Sequence, residues 1–200
     1  MADVDAVVLD LGNVLVFHDD ALLYRRLAGA SRSGITPEAV RAALRELWDP
    51  CNRGRLAGEA LRRAVGAAVG VELDETTFEE VWSGHFRFHT EVFPLVESLL
   101  GRVKLLLLSN TNAAHLEWVR PRLPLLERFD GLVLSYQLGL AKPEPAIFAE
   151  ALRLAGTPPE RTAFFDDVEA YVKAAQALGI RGRLFTDAPR FRQQLAELGL

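Results

Sequence analysis

Four short polar segments of this sequence carry side chains that hydrolytic chemistry uses. They are Asp10-Leu11-Gly12-Asn13-Val14, Ser109-Asn110-Thr111-Asn112, Lys142-Pro143 and Asp166-Asp167. Each segment has an ordinary structural explanation when it is taken alone, because aspartate, serine and asparagine are common in turns and helix caps. A single lysine is most often a solvated surface charge. Only the combination of the four segments indicates a functional site.

The combination favours transfer of a phosphoryl group to an aspartate. The carboxylates of Asp10, Asp166 and Asp167 would repel one another strongly unless a cation lay among them. An all-oxygen set of this kind suits Mg²⁺. A hydroxyl, backbone amides and an ammonium group together bind a phosphate dianion. One carboxylate is then available to attack phosphorus.

Lys142 is one of only three lysines among the 23 basic residues, and the other 20 are arginines. A lysine presents a compact point charge on a flexible stem, whereas an arginine presents a planar fork. Retention of lysine at this position favours a role for the point charge.

Five short apolar runs precede or adjoin the polar segments, and helical patterns alternate with them. The runs are Val4 to Leu9, Val103 to Leu108, Gly131 to Leu134, Thr162 to Phe165 and Arg183 to Phe185. Continuously apolar runs of this length indicate strands that are buried on both faces of a parallel sheet. The alternation predicts an α/β fold with a doubly wound parallel sheet. Such sheets form their sites at the carboxyl ends of the strands, where the polar segments lie.

Residues 16–92 interrupt this alternation with about four helical segments and no strand pattern. Thr36-Pro37 and Asp74 are predicted to begin two of these helices, and the second of the two is predicted to extend through Trp82 to His85. His85 and His89 would then lie one helical turn apart. Such a pair could bind a metal, although histidines with this spacing more often serve only in packing or at the surface. Between two of the helices, the arginines of Asn52-Arg53-Gly54-Arg55 either contact a substrate or lie in solvent.

Composition excludes several classes of protein. With a net charge of −4, the chain lacks the excess of positive charge that is typical of proteins that bind nucleic acid or an anionic membrane. No apolar run approaches the ~20 residues of a membrane-spanning helix. The first residues are acidic, and Cys51 is the single cysteine, which excludes an internal disulfide and a cysteine-based zinc site. We therefore expect a cytoplasmic protein that binds neither nucleic acid nor membrane and is a monomer or a weak homodimer.

With these four motifs in this order, the sequence resembles the haloacid dehalogenase-like hydrolase superfamily over essentially its whole length. The resemblance implies a core of residues 1–15 and 93–200 with strand order 5-4-1-2-3, and an all-helical cap of residues 16–92. The Asp-x-Gly-Asn-Val form of the first motif is most similar to the branch that holds bacterial glucose-1-phosphate phosphatases.

The resemblance also implies a role for each motif residue. Asp10 would be the nucleophile that becomes an aspartyl-phosphate, and Lys142 would neutralise the phosphoryl group and the nucleophile. Ser109 would bind phosphoryl oxygens through its hydroxyl, and Asn110 would do so through its backbone N–H. Mg²⁺ would be bound by Asp10, by Asp167 and by the carbonyl of Gly12. Asp166 would lie in or just outside the coordination sphere of the ion. The substrate would be a small phosphomonoester, such as a sugar phosphate.

Departures from the family pattern raise the question of which residue acts as the acid, and they leave a non-catalytic protein as one alternative to a phosphatase. A related class of enzyme is the other alternative. Most phosphatases of the superfamily carry an acid–base aspartate where this chain has Gly12, and general acid–base catalysis contributes about 10²–10⁴-fold. His18, Asp19 or Asp20 could replace it. The departures at Gly12, Val168 and Tyr171 suggest a non-catalytic protein that binds a phosphorylated ligand. A 2-haloacid dehalogenase also uses an aspartate nucleophile but generally lacks the acidic pair.

Overall fold

The structure, a computed structural model, describes residues 3–31 and 33–200. Met1 and Ala2 of the predicted core and Arg32 of the predicted cap lie outside the described residues. The strands in chain order are β1 (Ala6–Leu9), β2 (Val16–His18), β3 (Phe86–Phe88), β4 (Lys104–Ser109), β5 (Gly131–Leu134), β6 (Thr162–Asp166) and β7 (Arg181–Leu184).

Five of these strands form one parallel sheet in the order β5-β4-β1-β6-β7. When the five are numbered along the chain, this is the predicted order 5-4-1-2-3 seen from the opposite edge, so the prediction of the fold is confirmed. The middle strand, β1, is buried along its whole length. Ala6 and Val8 pack in one apolar cluster, and Val7 and Leu9 pack in another. Helices cover both faces of the sheet, which explains why its strands read as continuous apolar runs.

The described residues contain ten α-helices and three short 3-10 helices. In chain order, the α-helices are α1 (Asp20–Ala30), α2 (Pro37–Asn52), α3 (Gly58–Val69), α4 (Glu75–Trp82), α5 (Phe93–Glu97), α6 (Ala113–Val119), α7 (Ser135–Leu138), α8 (Pro145–Ala155), α9 (Glu169–Ala177) and α10 (Ala188–Glu197). Thr36 and Asp74 accept hydrogen bonds from backbone N–H groups of the first turns of α2 and α4, as predicted. No described helix is both long and apolar enough to cross a membrane.

Helices α1 to α4 pack around an apolar cluster of their own. Leu23, Leu44, Leu61, Val65 and Trp82 lie in this cluster and are almost completely buried. The four predicted helical segments are therefore present. The division into a core of residues 1–15 and 93–200 and a cap of residues 16–92 stays a prediction, and the separate cluster supports it. We call α1 to α4 and their connections the cap below.

The prediction that the insert is all-helical is wrong at its two ends. β2 and β3 pair antiparallel, with His18 opposite Phe86. Val16 and Phe86 are buried against the core, whereas the alternate residues Phe17 and Arg87 face outwards. Three residues are too few for this alternation to be recognised in a sequence.

The predicted helix through Trp82 and His85 is also too long. α4 ends at Trp82, and β3 separates His85 from His89. The two histidines therefore do not share a helix face, and the reading of a helical pair one turn apart is wrong.

Two glycines in cap helices provide a matched test of this packing. In α3, a Cβ on Gly66 would lie 2.5 Å from the carbonyl oxygen of Val71, whereas in α1 a Cβ on Gly29 would meet nothing within 4 Å. We expect Gly66→Ala to destabilise the protein by about 1–3 kcal/mol because the backbone of the following turn must move. Gly29→Ala should stabilise it by about 0.5–1 kcal/mol through the lower entropy of the unfolded chain. Urea unfolding of both variants measures the difference, and equal effects would contradict the described packing of α3.

Candidate active site

The predicted site residues meet at the carboxyl edge of the sheet. Asp10 directly follows β1, Ser109 is the last residue of β4, and Asp166 is the last residue of β6. These three strands are neighbours and parallel, so their carboxyl ends lie at the same edge. Lys142 reaches the same place from the loop between α7 and α8.

The ammonium group of Lys142 bridges two of the carboxylates. Its Nζ lies 2.8 Å from Oδ1 of Asp10 and 2.6 Å from Oδ2 of Asp166. It also donates a hydrogen bond to the carbonyl oxygen of Leu108 at 3.1 Å. A lysine has three N–H donors, so these partners match its full donor capacity. The side chain is 1 % exposed, so the charge is held in one place.

Asn110 and two aromatic rings hold Lys142 in position. The side-chain amide of Asn110 donates to the carbonyl oxygen of Lys142 at 2.9 Å and accepts from its backbone N–H at 2.8 Å. Nζ lies 5.6 Å from the ring centre of Phe164 and 5.2 Å from that of Tyr171. Tyr171, which departs from the family pattern, therefore forms one wall of the lysine site. Only a backbone role was predicted for Asn110, whose side chain in fact clamps Lys142, a residue 32 positions away.

The charges of Asp10 and Lys142 depend on each other. Burial raises the pKa of Asp10 to about 7, although Lys142 acts to lower it, and repulsion by Asp166 adds to the rise. Burial alone would lower the pKa of Lys142, but the attraction of Asp10 and Asp166 outweighs it, and the pKa is raised. One ammonium group therefore does not fully compensate the buried carboxylates, and a further cation would stabilise the charged form of Asp10.

The arrangement of the carboxylates fits such a cation. One oxygen of each of Asp10, Asp166 and Asp167 lies within 4.8 Å of the others, and this is the only group of three potential metal ligands of this kind within residues 3–31 and 33–200. The donors are all oxygens, as Mg²⁺ prefers.

The members of the acidic pair differ in how they are engaged. Both oxygens of Asp166 accept hydrogen bonds, one from Lys142 and the other from the backbone N–H of Val168 at 2.8 Å. Asp166 thus orients Lys142. Asp167 is partly exposed, and its Oδ2 accepts a bond from Nδ2 of Asn13 at 2.9 Å. Asn13 adopts a left-handed backbone, with a φ of 52°, and no role was predicted for its side chain.

His18 lies over the missing side chain of Gly12. A Cβ on Gly12 would lie 3.0 Å from Cε1 of His18, 3.2 Å from its Nε2 and 3.7 Å from Oδ2 of Asp10. The pairing of β2 with β3 positions the ring, which packs 4.8 Å from the ring of Phe86. Burial lowers the pKa of His18, which favours the neutral imidazole.

The two aspartates that follow His18 belong to the start of α1. Asp19 accepts the capping bond from the backbone N–H of Leu22 at 2.9 Å, and Asp20 is the first residue of the helix. Of the three candidates for the missing acid, His18 is therefore the one that lies over Gly12.

The turn after β4 is held by hydrogen bonds from the neighbouring strand end. The hydroxyl of Ser135 accepts from the backbone N–H of Thr111 at 2.9 Å and donates to the carbonyl oxygen of Thr111 at 3.0 Å. Asn112 caps α6, because its side chain accepts a hydrogen bond from the backbone N–H of His115. Ser109 is 2 % exposed at the start of this turn.

A cleft of about 430 Å³ opens beside Asp167. Its lining includes Asn13 and Asp167, the rings of Phe17, His89 and Phe185, and the polar residues Glu91, Thr186 and Asp187. His89 lies between the other two rings, with centroid distances of 6.0 and 6.3 Å. The cleft therefore reaches the partly exposed Asp167, whereas the buried Asp10 and Asp166 are not among its lining residues.

Comparison with known proteins gives one family. The family model described as haloacid dehalogenase-like hydrolase matches residues 4–179. The chain is 27 % identical over 199 residues to D-ribitol-5-phosphate phosphatase of Bacteroides thetaiotaomicron, covering 94 % of this chain and 95 % of that protein. It is 27 % identical over 156 residues to sesquiterpene phosphatase astK of Aspergillus oryzae, covering 76 % and 79 %.

Solved structures show the same similarity. A haloacid dehalogenase-family enzyme of Bacteroides thetaiotaomicron, solved with magnesium and inorganic phosphate, has a TM-score of 0.82 and 26 % identity, with coverage of 92 % of this chain and 94 % of that one. The L-2-haloacid dehalogenase of Xanthobacter autotrophicus, with a TM-score of 0.62 and 20 % identity over 88 % of this chain and 75 % of that one, shares the fold.

Removal of Lys142 tests the charge balance. At pH 8 in EDTA, Lys142→Met should cost about 3–5 kcal/mol in the free energy of unfolding, because it leaves buried carboxylates without their cation. The cost should shrink at pH 5. Asp10 there binds a proton in the folded state, where its pKa is about 7, and needs no cation. Urea unfolding at the two pH values measures both effects.

Lys173→Met is the matched control, since Lys173 is exposed and, among the residues that the structure describes, forms an ion pair only with Glu169 one helical turn away. It should change stability little at either pH. A cost for Lys142→Met that grows towards pH 5 would contradict the described network.

Proposed function

Because the chain belongs to the haloacid dehalogenase-like hydrolase family, we propose that it is a magnesium-dependent phosphatase that hydrolyses a small phosphomonoester. One observation carries the proposal. The buried carboxylate of Asp10 shares Lys142 with Asp166, and an oxygen of Asp167 lies within 4.8 Å of both carboxylates. A nucleophile, a fixed positive charge and a place for a divalent cation are thereby combined in one site.

In the proposed reaction, a carboxylate oxygen of Asp10 attacks phosphorus and forms an aspartyl-phosphate, while the bond from phosphorus to the ester oxygen breaks. Lys142 keeps Asp10 oriented and attracts the phosphoryl oxygens. Ser109 and the backbone of Asn110 donate hydrogen bonds to the same oxygens. Water then attacks phosphorus, which releases inorganic phosphate and restores the carboxylate of Asp10.

Asp10, Asp167 and the carbonyl of Gly12 would hold Mg²⁺, which would supply positive charge to the phosphoryl group and to the nucleophile. Asp166 would act from outside the ion, because its two oxygens are bonded to Lys142 and to the backbone of Val168. Its role would be to keep the ammonium group between the carboxylates.

The alternatives are less well supported. Asp167 next to Asp10 favours a phosphatase over a 2-haloacid dehalogenase, whose chemistry needs no cation. Gly12, Val168 and Tyr171 suggested a non-catalytic protein. Gly12 would still offer its carbonyl oxygen to the cation. Tyr171 and Val168 take part in the site, the first through its ring and the second through its backbone N–H. They are compatible with catalysis.

For the substrate, we propose a sugar or polyol phosphate. The similarity to a D-ribitol-5-phosphate phosphatase over nearly the whole of both chains supports this class. A glucose 1-phosphate substrate, which the first motif suggests, remains a prediction within the same class.

A panel of phosphomonoesters tests the function. We expect hydrolysis of p-nitrophenyl phosphate and of several sugar or polyol phosphates in Mg²⁺, loss of activity in EDTA, and poor replacement by Ca²⁺, which prefers more ligands at longer distances. Phosphate release measures the rates. Full activity in EDTA would contradict the metal-dependent mechanism and favour the dehalogenase reading.

The variant Asp10→Asn should be assayed with the same substrates. It should lose nearly all turnover and retain the fold. Asp5→Asn is its control. It makes the same chemical change at the other end of β1, on an exposed residue paired with Arg161, and should retain activity. Equal activity of the two variants would refute Asp10 as the nucleophile.

Gly12 has no side chain that could protonate the leaving group. We therefore expect the reaction rate to depend on the acidity of the leaving alcohol. Burial keeps His18 largely neutral near pH 7.5, so the ring is a poor proton donor to the departing oxygen. We expect the first chemical step to slow steeply as the pKa of the leaving alcohol rises, so that aryl and anomeric phosphates react faster than alkyl phosphates. Single-turnover rates for esters of graded leaving-group pKa measure this slope.

His18→Gln should leave the slope unchanged under this prediction. A shallow slope that becomes steep in His18→Gln would mean instead that the imidazole protonates the leaving oxygen.

A further inference from the structure

One arginine of the cap joins it to the loop that carries Lys142. Arg53 directly follows α2, and its guanidinium donates in three directions. Nη1 bonds to the carbonyl oxygen of Gly139 at 3.0 Å, Nη2 to Oε1 of Glu144 at 2.5 Å, and Nε to Oδ1 of Asp49 at 2.6 Å. Asp49 belongs to the cap, and the other two partners belong to the core. Arg53 thus does not lie free in solvent, and its donors are turned to protein rather than to a substrate.

The next residue brings the two backbones into contact. Gly54 has a φ of +71°, and a Cβ there would lie 2.1 Å from the carbonyl oxygen of Tyr136 in α7. A side chain at this position would separate cap and core. Arg53 and Gly54 therefore form one docking point, made of a guanidinium clasp and a close backbone approach.

The docking point lies on the segment that positions Lys142. Gly139 and Glu144 stand at the two ends of a six-residue stretch with Lys142 inside it. Glu144 also accepts a bond from the backbone N–H of Ala141 at 3.4 Å, and Asn110 holds Lys142 itself. The guanidinium of Arg53 consequently forms hydrogen bonds to both ends of the loop that carries Lys142.

The exposure of the clasp argues against a role in fold stability. The side chains of Arg53 and Glu144 are 23 % and 38 % exposed, and ion pairs that water reaches contribute little to folding. The cap packs mainly around its own apolar cluster, which Ala114 of α6 contacts, and the rings of Trp48 and Trp82 lie 6.2 and 5.4 Å from that of His115. Units that have separate cores are by default expected to move relative to each other.

We propose that Arg53 is a positioning residue that couples docking of the cap to the placement of Lys142. In the docked state Arg53 clasps Gly139 and Glu144, and the loop presents Lys142 to Asp10. When the clasp opens, the cap separates and admits substrate. This role rests on the proposed phosphatase function, because the loop matters for catalysis only if Lys142 acts on a phosphoryl group.

The proposal has a specific kinetic signature. If the docked state is the one that binds substrate productively, the apparent affinity falls in proportion to the docked fraction. Once bound substrate has closed the cap, Asn110, Asp10 and Asp166 still hold Lys142 in place, so turnover at saturation changes less. Loss of the clasp should therefore raise KM more than it lowers kcat.

Arg53→Ala tests the proposal against Arg55→Ala. Arg55 lies two residues away, bonds to the same Asp49 and makes no ion pair or hydrogen bond to the core among the described residues. With p-nitrophenyl phosphate and Mg²⁺, we expect Arg53→Ala to raise KM roughly three- to tenfold with kcat within about twofold, and Arg55→Ala to match the wild type. Arg53→Lys should be intermediate, because the three acceptors are bonded to three different nitrogens of the planar guanidinium, and a compact ammonium group does not reproduce that geometry.

Glu144→Gln and the double variant Arg53→Ala/Glu144→Gln complete a cycle. Glu144→Gln should raise KM, and the double variant should be no worse than Arg53→Ala, since both changes open the same clasp. A fall in kcat and in melting temperature with unchanged KM would overturn the proposal, because Arg53 would then act through the stability of the fold.

Hydrogen exchange without substrate separates this proposal from the proposed function. Arg53→Ala should speed amide exchange in residues 53–56 and 136–142, and Arg55→Ala should not. Unchanged amide exchange together with unchanged KM would overturn the proposed role of the Arg53 clasp but would not contradict the proposed phosphatase function. If the wild type hydrolyses no phosphate ester, the function fails, and faster exchange confined to these two segments would still support Arg53 as the residue that docks the cap.

Discussion

The site depends on one buried positive charge placed between two buried negative charges. Lys142, Asp166 and Asp10 are all buried, so the two negative charges depend on the ammonium group and the ammonium group depends on them. The positions of the loops follow from this requirement. Asn110 clamps the backbone of Lys142, Val168 satisfies the second oxygen of Asp166, and the ring of Tyr171 closes the space beside the ammonium group. Residues far apart in the chain are thus held by a single electrostatic balance.

The same balance explains why the nucleophile and the cation belong together. With Lys142 alone, burial still raises the pKa of Asp10 to about 7, so at neutral pH part of the population carries a protonated and therefore unreactive carboxyl group. A divalent ion beside Asp167 would favour the charged carboxylate. Binding of the cation and readiness of the nucleophile would then be one event rather than two.

The sheet and the meeting of the four motifs were predictable because each rests on local sequence. Continuous apolar runs such as Leu105 to Leu108 are typical of doubly covered strands, and parallel strands place their carboxyl ends together. β2 and β3 were not predictable, since three residues do not establish a period. The side-chain roles of Asn110, Asn13 and His18 depend on segments that only the fold brings together. The role of Arg53 was left open for the same reason, because its core partners lie 86 and 91 positions further along the chain.

The pairing of β2 with β3 has a consequence for the evolution of the segment between them. The chain leaves the core along β2 and returns along β3, so the two crossings lie side by side, with His18 opposite Phe86. A short turn could join the two strands directly and form an ordinary hairpin. The segment between them can therefore be lengthened, shortened or exchanged as a module without altering the register of the sheet. Its replacement would change the surroundings of the reacting group and leave the reacting residues in place.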